Sequence, residues 1–89
     1  MLDHVRQTLG STSALPPTLV IHHRRDDCHV THFDMVPPFM AWAAGRARLA
    51  WIDGGTSQGN PCRGQSYHGF VGREGAVVSA IIGFVKGGR

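Results

Sequence analysis

Between the proline pair Pro16-Pro17 and a second histidine at position 23 stands the run Thr18-Leu19-Val20-Ile21-His22, rich in β-branched side chains and apolar on both faces up to His22. A strand exposed on one face alternates polar and apolar residues, whereas one apolar on both faces reads as buried on both, in the manner of a parallel strand. The prolines force an extended approach to it. Parallel strands cannot be joined by a tight turn, and the connection between them normally carries a helix. This run therefore asks for a partner strand pointing the same way, a crossover helix and covering helices.

The remaining elements fall into that order. Pro37-Pro38 suits a first helical turn, where the missing N–H costs nothing, and the helix runs over about 37–44 until Gly45 stops it. Ala47-Arg48-Leu49-Ala50-Trp51-Ile52 reads as the second strand, over 47–52, ending at Asp53-Gly54-Gly55. Residues 53–72 form a long loop with glycine at 54, 55, 59, 64, 69 and 72, and a stretch that long in a compact domain is usually functional. The last helix, over about 73–86, carries Val77, Ile81 and Val85 at helical spacing, widened by Val78, Ile82 and Phe84, and Gly87-Gly88 closes it. It is expected to bury one broad face. A short helix around Asp3 to Leu9, ended by Gly10 and Ser11-Thr12-Ser13, precedes everything. The fold class is α/β, with βαβα order and parallel strands in a single domain over 1–89.

With 89 residues, 42% hydrophobic and 17% charged, the chain is long enough for one small domain, too apolar for disorder to be expected and too polar for membrane passage. No stretch approaches the roughly 20 apolar residues a bilayer needs, and no export signal is read at Met1 to Arg6. The formal charge of +3 comes from arginines scattered along the chain, so neither a nucleic-acid surface nor a membrane partner is expected.

The chemistry concentrates in "HHRRDDCHVTH", residues 22–32. Asp26 lies just past the carboxyl end of the first strand, and His68 lies on the loop past the carboxyl end of the second. In open α/β sheets reacting groups gather at that edge, so the two can meet as orienting carboxylate and general base. A carboxylate that accepts the imidazole N–H fixes its tautomer and stabilises the imidazolium formed when the ring takes a proton. Asp27, next to Asp26, is the competing carboxylate. His22, His23, Cys28, His29 and His32 follow no paired Cys-x-x-Cys or His-x-x-x-His spacing, so no metal and no cofactor is expected. His22 and His23, successive on a strand, point to opposite faces; one is expected to pack near the acid loop and the other histidines to be solvated.

"PPTLVIHHRRDDCHVT" resembles the acid-bearing seventh strand of the α/β-hydrolase fold, and "GGTSQGNPCRGQSYHGFVGREGAVVSAIIGFVK" resembles its histidine loop and last helix, of the dienelactone hydrolase or esterase kind. His23-Arg24-Arg25-Asp26 stands where that family has a G-x-x-D turn, with His in place of Gly, and Tyr67-His68-Gly69-Phe70 stands at its H-G-F motif. The resemblance implies Asp26 as acid and His68 as base of a Ser-His-Asp triad acting on a small ester-like substrate. The family's G-x-S-x-G elbow is not found, and Ser11, Ser13, Ser57, Ser66 and Ser79 do not fit it. The chain is therefore expected to be the C-terminal part of such a hydrolase, inactive without the nucleophile half, and to form homodimers or pair through open sheet edges. The alternatives are a non-catalytic remnant or interaction module and, third, a small metal-binding protein. Cys28 and Cys62 flank the two catalytic loops and are either bonded, tying the loops together, or two free thiols.

Overall fold

The computed structural model describes residues 2–87. Gly88, assigned with Gly87 to the end of the last helix, lies outside the described residues, as do Met1 and Arg89. The elements run α1 (Leu2–Leu9), β1 (Thr18–His23), α2 (Val36–Ala43), β2 (Ala47–Ile52) and α3 (Glu74–Gly87), with 3-10 turns at Thr12–Ala14, Phe33–Met35, Ala44–Arg46 and Tyr67–Gly69. β1 and β2 pair in parallel, from Thr18 opposite Ala47 to His23 opposite Ile52. The protein is a mixed α/β structure built on this small two-stranded sheet.

Pleating sends Val20 and Ala47 to one face, where Leu15, Phe39 and Ala43 close a core that Leu2, Val5, Leu9, Met40 and Trp42 partly cover. α2 buries Val36, Phe39 and Ala43, spaced three and four residues apart along one helical stripe, and supplies this core through the last two. The helix begins at Val36 with its prolines in the first turn and stops at Ala43, one residue earlier at each end than proline and glycine placement predicts. Thr12 Oγ1 donates to the Trp42 carbonyl at 2.7 Å, satisfying one of the acceptors that a helix end leaves open.

The opposite face carries α3. Its first turn is held by Glu74, which accepts from the Gly72 N–H at 3.2 Å. The backbone N–H groups of Glu74 itself and of Gly72 keep this carboxyl below its ordinary value. The broad apolar stripe is not buried as expected. Val78, Ile81, Ile82 and Val85 are 53%, 45%, 49% and 71% exposed, while Ala76, Val77, Ala80 and Phe84 are half-buried. Two strands present too narrow a surface for a stripe this wide, so α3 seats one side of it and leaves the other in solvent.

The loop over 53–72 is not structureless. Thr56 N donates to the Val71 carbonyl at 3.2 Å and Gln58 N to the Gln65 carbonyl at 2.9 Å, folding the segment back on itself. Gly55 sits at φ +77° with no room for a Cβ against the Val71 carbonyl, so its glycine is required both by conformation and by close approach.

Ala44 takes φ 53° and ψ −130° at the exit from α2, a backbone conformation suited to glycine. Ala44→Gly is expected to raise stability by roughly 1 kcal/mol, because relief of strain outweighs the added freedom of the unfolded chain. A higher urea midpoint at unchanged slope is the expected readout.

Candidate functional site

The end of β1 turns sharply through His23-Arg24-Arg25-Asp26, and the turn is pinned by a histidine. The His23 ring is 1% exposed, donates from Nε2 to the Gly54 carbonyl at 2.7 Å and accepts the Arg25 N–H on Nδ1 at 3.0 Å. It also stacks on Tyr67 with ring centroids 4.4 Å apart. His22 is buried as well, so two of the histidines pack at the acid loop where one was expected. His23 fills the turn that a glycine would leave open and fastens it to both β2's end and the histidine turn.

Asp26 emerges from this turn 4% exposed, while Asp27 is exposed. Its Oδ1 accepts the Cys28 N–H at 3.0 Å, and its Oδ2 accepts the Thr31 hydroxyl at 3.2 Å. The same Oδ2 lies 3.0 Å from His68 Nδ1, across 42 positions of sequence. His68 occupies the short turn Tyr67–Gly69, which Ser66 anchors from within. Ser66, 1% exposed, donates to the Pro61 and Arg63 carbonyls and accepts the His68 N–H at 3.2 Å. Neither Ser66 nor Thr31 stands out in the sequence, because hydroxyl residues that anchor loops follow no spacing rule.

Since the carboxylate accepts and the Thr31 hydroxyl already donates to it, the consistent assignment puts the His68 proton on Nδ1, shared between Asp26 and Thr31, whose oxygen is 3.0 Å from that nitrogen. Nε2 is left as an acceptor. A half-exposed imidazole oriented by a buried carboxylate and holding a free lone pair is the arrangement of a general base.

His22 completes the cluster. Its Nδ1 donates to the His23 carbonyl at 3.0 Å, while its Nε2 lies 3.8 Å from Asp26 Oδ2. Among the described residues this Nε2 is the one buried side-chain nitrogen or oxygen without a hydrogen-bond partner. The β1 residues Leu19 to His22 and the side chains of Asp26, Thr31, His68 and Phe70 enclose an open groove of about 480 Å³. Its floor is largely apolar and its polar groups gather around His68.

Cys28 and Cys62 form a disulfide, with their Cα atoms 4.7 Å apart. One lies two residues after Asp26 and the other six before His68, so the bond ties the acid loop to the histidine loop. Closing a loop across 34 positions contributes roughly 3–4 kcal/mol in the chain-entropy account. Arg24 pairs with Asp53 at 2.9 Å, and Arg25 lies over the Tyr67 ring. Among the described residues no helix is long and apolar enough to cross a membrane.

Compared with known proteins, the chain matches no family model, no curated protein and no solved structure.

The two neighbouring aspartates have different environments, and stability should separate them. Asp26→Ala strands the Cys28 N–H and the His68 and Thr31 donors, and is expected to cost roughly 1–3 kcal/mol or more. Asp27→Ala is expected to stay within about 0.5 kcal/mol of the parent. Urea unfolding of both variants under oxidising conditions checks the difference.

Proposed function

We propose that this chain carries the acid and base of a serine-type acyl hydrolase of the α/β-hydrolase kind, Asp26 and His68, with the nucleophile and oxyanion hole contributed by sequence outside these 89 residues. The observation that carries the proposal is the 3.0 Å contact between buried Asp26 and His68 Nδ1 beyond the carboxyl ends of two parallel strands. In that reaction His68 Nε2 takes the proton of the attacking serine hydroxyl and returns it to the leaving alcohol, giving an acyl-serine. It then takes a proton from the water that hydrolyses this ester. Asp26 keeps the ring in the Nδ1–H tautomer and stabilises the imidazolium without taking its proton.

Two further features favour the reading. The groove beside His68 runs along the free edge of β1 and is apolar where an ester's hydrocarbon part would lie. The exposed side of α3, with Val78, Ile81, Ile82 and Val85, fits a helix that normally lies on a wider sheet. The same exposed stripe and open strand edges also suit a second reading, a non-catalytic chain that associates with itself or a partner.

The test is a p-nitrophenyl ester assay on the 89-residue chain and on any longer reading frame that places a G-x-S-x-G segment before it. The chain alone is expected to show no sustained turnover. In the longer protein His68→Ala is expected to lower kcat by on the order of 10⁶-fold and Asp26→Ala by on the order of 10⁴-fold. Turnover by the short chain that His68→Ala abolishes would refute the division of labour between segments. Turnover in the longer protein unaffected by either substitution would remove both residues from the chemistry.

A further inference from the structure

The acid loop and the histidine loop meet a second time, at Cys28, His29 and Cys62. The two sulfurs and one ring nitrogen of these residues all lie within 4.8 Å of one another, and Cys62 Sγ is 3.8 Å from His29 Nδ1. A tetrahedral zinc with Zn–S near 2.3 Å and Zn–N near 2.0–2.1 Å spaces its sulfur and nitrogen ligands by about 3.5 Å and its two sulfurs by about 3.8 Å. The Cys62–His29 edge is therefore within a few tenths of an ångström of that geometry already, the Cys28–His29 edge lies within 4.8 Å and closes by a turn of the exposed His29 ring, and the sulfur–sulfur edge is short only because the two atoms are bonded. His29 is exposed and Cys62 half-buried, so solvent reaches the cluster.

We infer that reduction of the Cys28–Cys62 bond converts this cluster into a site for a zinc-class divalent cation, held by two thiolates and His29 Nδ1 with the fourth position open to water. A dithiol or phosphine reductant supplies the two electrons, and two protons complete the thiols while the reductant is oxidised. The cation then displaces both thiol protons to solvent and takes the lone pair of neutral His29, whose proton moves to Nε2. Two thiolates neutralise the 2+ charge, which suits a site with one buried wall.

The consequence for the fold is that the two loops stay cross-linked in either redox state. Cys28 presents its N–H to Asp26 Oδ1, and the segment of Cys62 receives the Ser66 hydroxyl at the Pro61 carbonyl. A link between these two points holds Asp26 and His68 in register, whether it is covalent or metallic. The inference stands on the three donors alone and does not depend on the hydrolase reading.

The test uses the 89-residue chain without an affinity tag, reduced with a phosphine, freed of metal and titrated anaerobically with Zn²⁺ and Co²⁺. One equivalent per chain, a thiolate-to-Co²⁺ charge-transfer absorption and protection of both cysteines from alkylation by Zn²⁺ are expected. The oxidised chain should give none of these. His29→Ala, an exposed position, should weaken Zn²⁺ binding by more than the roughly 10–100-fold that loss of an outer-shell partner costs. His32→Ala, whose ring is engaged by Asp34 at 2.8 Å, should leave the affinity unchanged. Binding no tighter than in the Cys28→Ser/Cys62→Ser double variant, or equal effects of the two histidine substitutions, would overturn the inference. The second of these would mean that the fold does not select the donors.

Discussion

A carboxyl group removed from water must be given partners, and Asp26 is where this chain meets that demand. A buried carboxylate without hydrogen bonds or a counter-charge costs several kcal/mol, more than a small domain can spare. At Asp26 the Cys28 N–H, the Thr31 hydroxyl and the His68 ring converge from two loop segments, with His22 Nε2 3.8 Å away. Each of those segments is positioned by something else: the turn by the His23 ring, the histidine by Ser66, and both loops together by the disulfide. The polar cluster is thus a constraint on the loops. Its orientation of His68 follows from the need to satisfy Asp26.

The parallel pairing beneath it explains why these groups meet at all. Two strands running the same way deliver their following loops to one edge, so that residues far apart in sequence share a surface. The same arrangement leaves much of the apolar surface uncovered. The core on the α2 face is closed by Phe39, Ala43 and Leu15, but on the other face α3 has only two strands to lie on, and half of its apolar side chains remain in water. Hydrophobic burial is concentrated on one side of the sheet, and the loops on the reactive edge are held by hydrogen bonds and a covalent bond.

Histidine serves four distinct ends here, set by surroundings rather than by residue type. His23 is a fully bonded strut; His68 is an oriented, half-exposed imidazole; His22 keeps an unpartnered nitrogen beside the carboxylate; His29 reaches the sulfurs. A cluster of histidines in sequence invites a single explanation, usually a metal. In space the cluster disperses, and the inferred cation site recruits only one of them, together with its neighbour Cys28 and with Cys62 from the distant loop.

Local rules were sufficient for much of the architecture. The β-branched run after Pro16-Pro17 and the alternating run Ala47–Ile52 read as strands, Pro37-Pro38 marked a helix start, and the positions of Asp26 and His68 after successive strands placed both at one edge, because strand propensity, proline geometry and parallel connectivity act over short stretches of chain. Asp26 was preferred over Asp27 only through the resemblance to a G-x-x-D turn, and the burial that separates them was not legible in the sequence. Other features depended on what stands opposite in space. Which side of α3 would be covered was decided by the width of the sheet. The burial of His23 was decided by the Gly54 carbonyl and the Tyr67 ring, and the roles of Ser66 and Thr31 by the loops they happen to bridge. The bond between Cys28 and Cys62, left open by the sequence, was decided by two loops that the parallel sheet brings within 4.7 Å, a proximity across 34 positions that local patterning does not encode.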